Sequence, residues 1–304
     1  MTFWSLAQTI LVFVGIVVVG WALRRTGVVE RSAAKSINNI IIYVGLPAMI
    51  FRNIHAARLE RSLVVVGLVA WAVFVVSAVV AWAISRSMRL PRPVAGGFII
   101  AAALGNTGYI GYPVAEAFLG AQGQTRAIFY DVLGTVAALL FVGLFIAERM
   151  GHADGKSVNP AREVLGFPAV LAVLVALALR PFAIPDAVGG WLDLLASLTV
   201  PLIMITVGLS LRPGSIRDYA APLAALSGVK LLLGPVVGLG VGAVVFSDPE
   251  VVRLVVLQAG MPSMMLSLVI GARFRLDTDF IASAILVTTL ACVISIPLMQ
   301  LLAP

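Results

Sequence analysis

Ten apolar runs separated by short polar segments account for nearly the whole chain: 3–23, 34–51, 62–85, 94–119, 126–146, 164–180, 187–210, 219–246, 251–272 and 279–302. Most reach or approach the roughly 20 residues that a helix needs to cross a ~30 Å hydrocarbon core. The pattern predicts an all-α integral membrane protein with ten transmembrane helices. The first run lacks a basic segment before it and is followed by Arg24 and Arg25 rather than by small residues, so it reads as a retained span and not a cleaved signal peptide.

Two runs are interrupted. The fourth, VAGGFIIAAALGNTGYIGYPVAEAFLG, gathers Gly105, Gly108, Gly111 and Pro113 around Asn106 and Thr107. The ninth places Gln258, Gly260, Met261, Pro262 and Ser263 at a matching depth. Proline removes a backbone donor and glycine tolerates non-helical angles, so both helices are expected to break, Gly111 and Pro113 marking the first break. Stranded backbone groups inside a membrane are tolerable only where they line a cavity or are buried in protein. The polar segment Glu148–Glu163 divides the runs five and five, giving one unit over 1–147, a linker over 148–163 and a second unit over 164–304. Sliding the second half back by about 154 residues brings Pro201 onto Pro47, Gly260 onto Asn106 and Pro262 onto Gly108. An odd number of spans per copy inverts the second copy, the architecture of many secondary transporters, with the broken fourth and ninth spans crossing.

Composition agrees with the membrane reading. Hydrophobic residues make up 61% and charged residues 12% of the 304, and mean hydropathy is +1.08; a soluble domain carries about twice that charged fraction. The net charge of +7 does not indicate a nucleic-acid partner, because the cations stand at the ends of apolar runs and form no stripe. They gather in the odd-numbered loops, including Arg24, Arg25, Arg86, Arg89, Arg149, Lys156, Arg212 and Arg273, against a smaller set (Arg52, Arg58, Arg61, Arg126, Arg180, Arg253) in the even ones. The positive-inside rule then sets the odd loops in the cytoplasm and both termini outside, in a multi-pass protein of the cytoplasmic membrane. Cys292 is the single cysteine, and His55 and His152 lie in loops, so neither a disulfide, a metal site nor a histidine-based catalytic centre is expected, and no cofactor.

Two half-helix N-termini facing one cavity would offer free N–H donors and partial positive charge, which select an anion. Asn106 could add an amide donor, with Gly105, Thr107, Gly108 and Gln258–Ser263 around it. Met261, Met264 and Met265 are expected to line the cavity or pack; Leu46 and Leu202, beside Pro47 and Pro201, are candidates for its wall. Lys230 and Asp131 are ionisable residues within apolar runs, each costing at least ~2.5–3.5 kcal/mol at a helix centre. Lys230 is either a fixed cation that attracts the substrate or replaces a coupling metal ion, or a structural partner of Asp131 or of a broken-helix carbonyl. Asp131 is either a proton-coupling carboxylate or the acceptor of a structural hydrogen bond. The reading is a secondary active transporter for a small organic anion working by alternating access; an anion channel and a membrane-embedded sensor are the alternatives, and no catalytic motif indicates an enzyme.

LGNTGYIGYP at 104–113 resembles the span-four signature of the auxin efflux carrier family, which includes plant PIN-FORMED carriers and bacterial malonate-permease-like proteins. GLPAMIF at 45–51, KLLLGP at 230–235 and LQAGMPS at 257–263 are similar to other patterns of that family. The resemblance implies a ten-span fold like that of bile-acid and sodium/proton carriers. Spans one, two, six and seven would form a panel, often the surface of a homodimer, and the other six a moving core. It also implies that Asn106 contacts a substrate carboxylate of malonate-like or auxin-like type, that Pro262 lies at the crossing, and that a proton or sodium ion is coupled. Plant members carry an acid in span three, whereas 62–85 has none.

Overall fold

The computed structural model describes residues 3–30, 33–57, 60–151, 166–210 and 216–303; most of the expected linker, from 152 to its end, lies outside them. The described residues form eleven helices and no strand. They are α1 (Phe3–Arg25), α2 (Ala33–Ala56), α3 (Ser62–Ser87), α4 (Arg92–Ala103), α5 (Gly111–Met150), α6 (Pro168–Leu179), α7 (Asp186–Ser210), α8 (Ala220–Val245), α9 (Pro249–Ala259), α10 (Leu266–Arg273) and α11 (Thr278–Leu302). Six of them, α2, α3, α5, α7, α8 and α11, are long and apolar enough to cross a membrane by themselves, and α4 and α6 are shorter apolar helices.

The interrupted runs account for two of the differences from ten uniform spans. Residues 94–119 are divided between α4 and the start of α5, and residues 251–272 between α9 and α10. The loop expected after residue 119 is reduced to a sharp turn at Gly120, whose backbone (φ 66°, ψ −167°) is non-helical and divides α5 into two helical segments. Glycine reaches such angles at little cost, and the turn brings Tyr112 back to within 2.6 Å of Asp131. The first break also falls earlier than Gly111 and Pro113 suggested. It occupies 104–110, and both residues lie in the first turn of α5, where a missing N–H costs nothing.

Proline has another effect in α2 and α8. A π-helical turn, Ile41–Gly45, precedes Pro47, and another, Val229–Leu233, precedes Pro235. The widened turn carries the bond Leu46 N–H to Ile41 O in α2 and Gly234 N–H to Val229 O in α8, relieving the clash of each ring with the turn before it. Lys230 and Asp131 both lie in π-helical turns, the latter in Tyr130–Val136 of α5.

The helices pack in two groups. In one, α1 lies along α7, and α2 lies against α6 and α7. In the other, α3 contacts α4, α5 and α8, α9 lies between α5 and α8, and α11 closes on α4 and α8. Several polar ties each join elements of one group. Arg52 grips Asp193 through both carboxylate oxygens (2.5 and 2.8 Å), Arg24 donates to Leu209 O, and Arg180 to Ala57 O, all in the first group. In the second, buried Arg126 meets Glu60 and Asp248, Trp71 donates to Leu133 O, Arg92 to Arg149 O, and Tyr219 to Asp277. Where α2 meets α5, Gln124 Nε2 donates weakly to Met49 Sδ at 3.9 Å, beside a polar cleft lined by Arg52, Asn53, Glu60, Gln122 and Thr125. Around the central cavity the seam is walled by apolar Leu46, Val136 and Phe167, and apolar surfaces slide with little penalty because no directional bond fixes their register.

Candidate functional site

Chain leaves helical geometry at Leu104, where α4 ends in extended backbone, and again past Gly260 at the end of α9. The two extended segments run antiparallel and pair. Gly105 bridges Ser263, Asn106 N–H donates to Pro262 O at 2.7 Å, and Met264 N–H donates to Leu104 O at 3.0 Å. This ribbon satisfies the backbone groups that would otherwise be stranded. Ser263 anchors it: its hydroxyl donates to Ala101 O at 2.8 Å, and its N–H donates to Thr288 Oγ1 at 3.0 Å.

After the ribbon each chain turns into a helix, and Asn106 caps the first turn. Its Oδ1 accepts from Tyr109 N–H at 3.2 Å, while its backbone oxygen accepts from Ile110 and Gly111 N–H. The other half of the amide is free. Asn106 is 3% exposed, yet Nδ2 has no acceptor among the described residues. The same is true of the N–H groups of Gly108, in the turn that leads into α5, and of Met265 and Leu266, at the start of α10, where helical N–H groups have no partner within the helix.

All four residues line one cavity. Its other walls are Tyr109, Tyr112, Asp131 and Val136 of the second helix group, Met264, and Leu46, Phe167 and Ala169 of the first group. It therefore lies between the two packed groups. The free space is about 30 Å³, room for a water molecule or two. An organic acid enters only if the groups part.

Asp131 is buried at the edge of the cavity and its two oxygens are both bonded. Oδ1 accepts from Thr107 Oγ1 at 2.5 Å and Oδ2 from the Tyr112 hydroxyl at 2.6 Å. A Cβ at Gly108 would fall 3.0 Å from Oδ2, so the bare backbone is what lets the carboxylate come this close to the break. Lys230 lies on the opposite side of the break. Its ammonium donates to Ala259 O at 3.1 Å, the last carbonyl of α9, and a Cβ at Gly105 would lie 3.2 Å from Nζ. No ion pair joins Lys230 to Asp131 among the described residues; of its expected structural partners, the geometry supplies the broken-helix carbonyl. A second, smaller pocket holds Lys230 with Gly105, Thr107, Tyr130, Thr135 and Gln258. Gln258 donates to Gly111 O at 3.2 Å, and its Oε1 is buried without a partner.

The residues expected around the breaks thus separate into three sets. Asn106 and Gly108 line the main cavity with Asp131; Gly105, Thr107, Gln258 and Lys230 line the small pocket behind it. Gly260, Met261, Pro262 and Ser263 line neither and serve the ribbon and its packing, with Met261 and Ser263 fully buried. Gly111 and Pro113 start α5. Leu46 reaches the cavity wall while Leu202 does not. Tyr109, Tyr112, Leu266, Phe167 and Ala169 complete the wall without having been anticipated. Tyr109 and Tyr112 lie within the 104–113 motif, and Pro168 at the start of α6 was the available signal for Phe167.

Residues 5–300 match the family described as membrane transport protein. The chain belongs to that family. This is the auxin efflux carrier group to which the motifs at 45–51, 104–113, 230–235 and 257–263 pointed. The transporter is 31% identical over 301 residues to an "Uncharacterized transporter" of Methanothermobacter thermautotrophicus, an alignment covering 98% of each chain. It is 30% identical to an uncharacterized transporter of Methanocaldococcus jannaschii, across 93% of this chain and 94% of that one. A Rhizobium meliloti protein named "Putative malonate transporter" is 26% identical across 94% of this chain and 92% of its own. The transporter is thus a helical membrane protein of a transport family, matched nearly end to end, whose paired breaks meet at a donor-rich cavity.

Proposed function

We propose that the transporter is a secondary active carrier for a small organic carboxylate, bound in the cavity between the two helix groups. The observation that carries this reading is that four residues with donors unpartnered among the described residues, Asn106 through Nδ2 and Gly108, Met265 and Leu266 through their N–H groups, all line one cavity. Donors without acceptors are costly in a buried site, and an incoming oxyanion repays that cost through charge-assisted bonds roughly twice as strong as neutral ones. The first turns of α5 and α10 add the positive ends of two helix dipoles. The name of the Rhizobium meliloti relative supports malonate as the first substrate to try.

Alternating access is supported by the way the polar ties are distributed. The ion pairs described above lie within one helix group or the other, while around the cavity the seam is walled by apolar Leu46, Val136 and Phe167 and crossed by a weak sulfur contact. One group, α1, α2, α6 and α7, is the panel, and the other is the core that carries the breaks. A cavity of about 30 Å³ favours a carrier that opens to one side at a time over a continuous pore. The antiparallel pairing of 104–106 with 262–264 is what two inverted copies, 1–147 and 164–304, would produce at their centre. The excess of cations in the odd loops supports a cytoplasmic-membrane orientation with those loops and the linker 148–163 inside and both termini outside. The exposed apolar face of the panel, with Tyr43, Trp191 and Leu194, suits contact with lipid or with a second copy in a homodimer.

The test is uptake into proteoliposomes. Purified protein is expected to give saturable, temperature-dependent entry of radiolabelled malonate or of a competing mono- or dicarboxylate, with neutral amides of the same shape excluded. Equal entry of acid and amide, or flux that rises linearly with concentration, overturns the carrier reading.

A further inference from the structure

Asp131 and Lys230 lie on opposite sides of the break at 105–108 and are not joined by an ion pair. We infer that they work as a titratable carboxylate and a fixed cation, so that each anion entering the cavity binds together with one proton at Asp131, without a sodium ion at the crossing. This deepens the proposed function and rests on the anion site at Asn106.

Charge accounting at the site leads to that statement. Asp131 lines the same cavity as Asn106, so an ionised Asp131 and a bound carboxylate would share one desolvated space. Two like charges in such a space are not both maintained, and the proton that relieves them binds more readily when the anion is present. The groups facing Asp131 are neutral: Thr107 and Tyr109 from the break, Tyr112 and Tyr130 from α5, Met264 and Met265 beside α10, and Leu46 and Phe167 from the panel. Lys230, from α8, lines the adjoining small pocket with Gly105 and Thr107, and its Nζ would lie 3.2 Å from a Cβ at Gly105. Its ammonium meets the last carbonyl of α9, at the negative end of that half-helix. A built-in cation there does the work that a bound metal ion would do at a broken-helix C-terminus.

Thr107 makes protonation structurally cheap. With Asp131 ionised, its hydroxyl donates to Oδ1 at 2.5 Å. A second acceptor, Gly105 O, lies 3.4 Å from the same hydroxyl. Once Asp131 takes a proton, the hydroxyl rotates to donate to Gly105 O and accepts the new O–H bond from Oδ1, while Tyr112 continues to donate to Oδ2. The proton enters from water on the side to which the cavity opens and leaves on the other side, so no bond other than O–H is made or broken. A monocarboxylate then crosses with no net charge.

Calorimetry of malonate binding to the full-length protein in detergent between pH 7 and 9, in buffers of different ionisation enthalpy, tests this. Dissociation constants are expected to rise by up to tenfold per pH unit, with proton uptake approaching one per anion, identical in sodium and in choline salts. Asp131→Asn is expected to bind malonate with neither pH dependence nor proton uptake. Malonate that binds the wild type with no proton uptake and a flat pH profile, or only in sodium, overturns the coupling while leaving the anion site standing. No binding at any pH by protein that still melts cooperatively overturns the anion site and the coupling with it. The wild-type proton count keeps the coupling falsifiable even where Asp131→Asn does not fold, because a count of zero overturns it.

Discussion

Replacement of Asn106 by aspartate separates what its side chain does for the fold from what it does in the cavity. Oδ1 accepts from Tyr109 N–H at 3.2 Å and caps the first turn after the break, while Nδ2, on a residue that lines the cavity, has no acceptor among the described residues. Aspartate is as good a cap as asparagine, so Asn106→Asp keeps the bond to Tyr109 and exchanges only the cavity donor for an acceptor. Loss of one hydrogen bond to a charged ligand costs about 1.5–3 kcal/mol, or roughly 10- to 150-fold in affinity, and a second negative oxygen facing the anion adds to that. Asn106→Ala loses both functions and should also lower stability by about 1 kcal/mol through the missing cap. Thermal unfolding in detergent and malonate uptake in proteoliposomes, measured on the same preparations, give the two readouts. Asn106→Asp should melt near the wild type and transport poorly, whereas Asn106→Ala should be weaker in both. If Asn106→Asp unfolds early but retains wild-type affinity, Asn106 is a turn-former and the assignment of the cavity donor is wrong.

Two more outcomes follow from the geometry. Gly108→Ala would place a Cβ 3.0 Å from Asp131 Oδ2, pushing the carboxylate off the Tyr112 hydroxyl. A stability loss of about 1–3 kcal/mol with impaired transport is expected, read by melting and uptake; a fully active, fully stable variant would mean the contact is slack. At the head of α8, burial and the hydrogen bond to Asp277 push the Tyr219 phenol up to about 12. Its contribution to stability is complete below the usual tyrosine value near 10 and fades as pH climbs through about 12. Tyr219→Phe should therefore flatten the alkaline limb of a melting-temperature profile, and an unchanged limb would assign that loss to other groups.

Sequence by itself determined the class of molecule, because hydrocarbon admits few solutions: long apolar runs with few charges must be helices that satisfy their own backbone. It also located the breaks, since Gly105–Pro113 and Gly260–Pro262 carry the residues that cannot or need not continue a helix, and the four family motifs lie at or next to the breaks, π-helical turns and cavity walls. Asn106 stood out as a candidate for the same reason, being a short amide in the middle of an apolar run, and it lines the cavity. Only the tertiary structure decided how the breaks are used. Within the segment Gly260–Ser263, Pro262 and Ser263 pair with 104–106 while Gly260 and Met261 bond back into α9, and the donors without acceptors among the described residues include those of Met265 and Leu266, two apolar residues whose side chains give no hint of their backbone. A chain turn after residue 119 was legible, but not that a single glycine with positive φ makes it and folds Tyr112 back against Asp131. The placement of Asp131 and Lys230 on opposite sides of one break depends on α5 and α8 packing around α3 and α9. Residues a hundred positions apart meet there because buried charges must find polar partners, and in an apolar bundle the broken backbone is where those partners are.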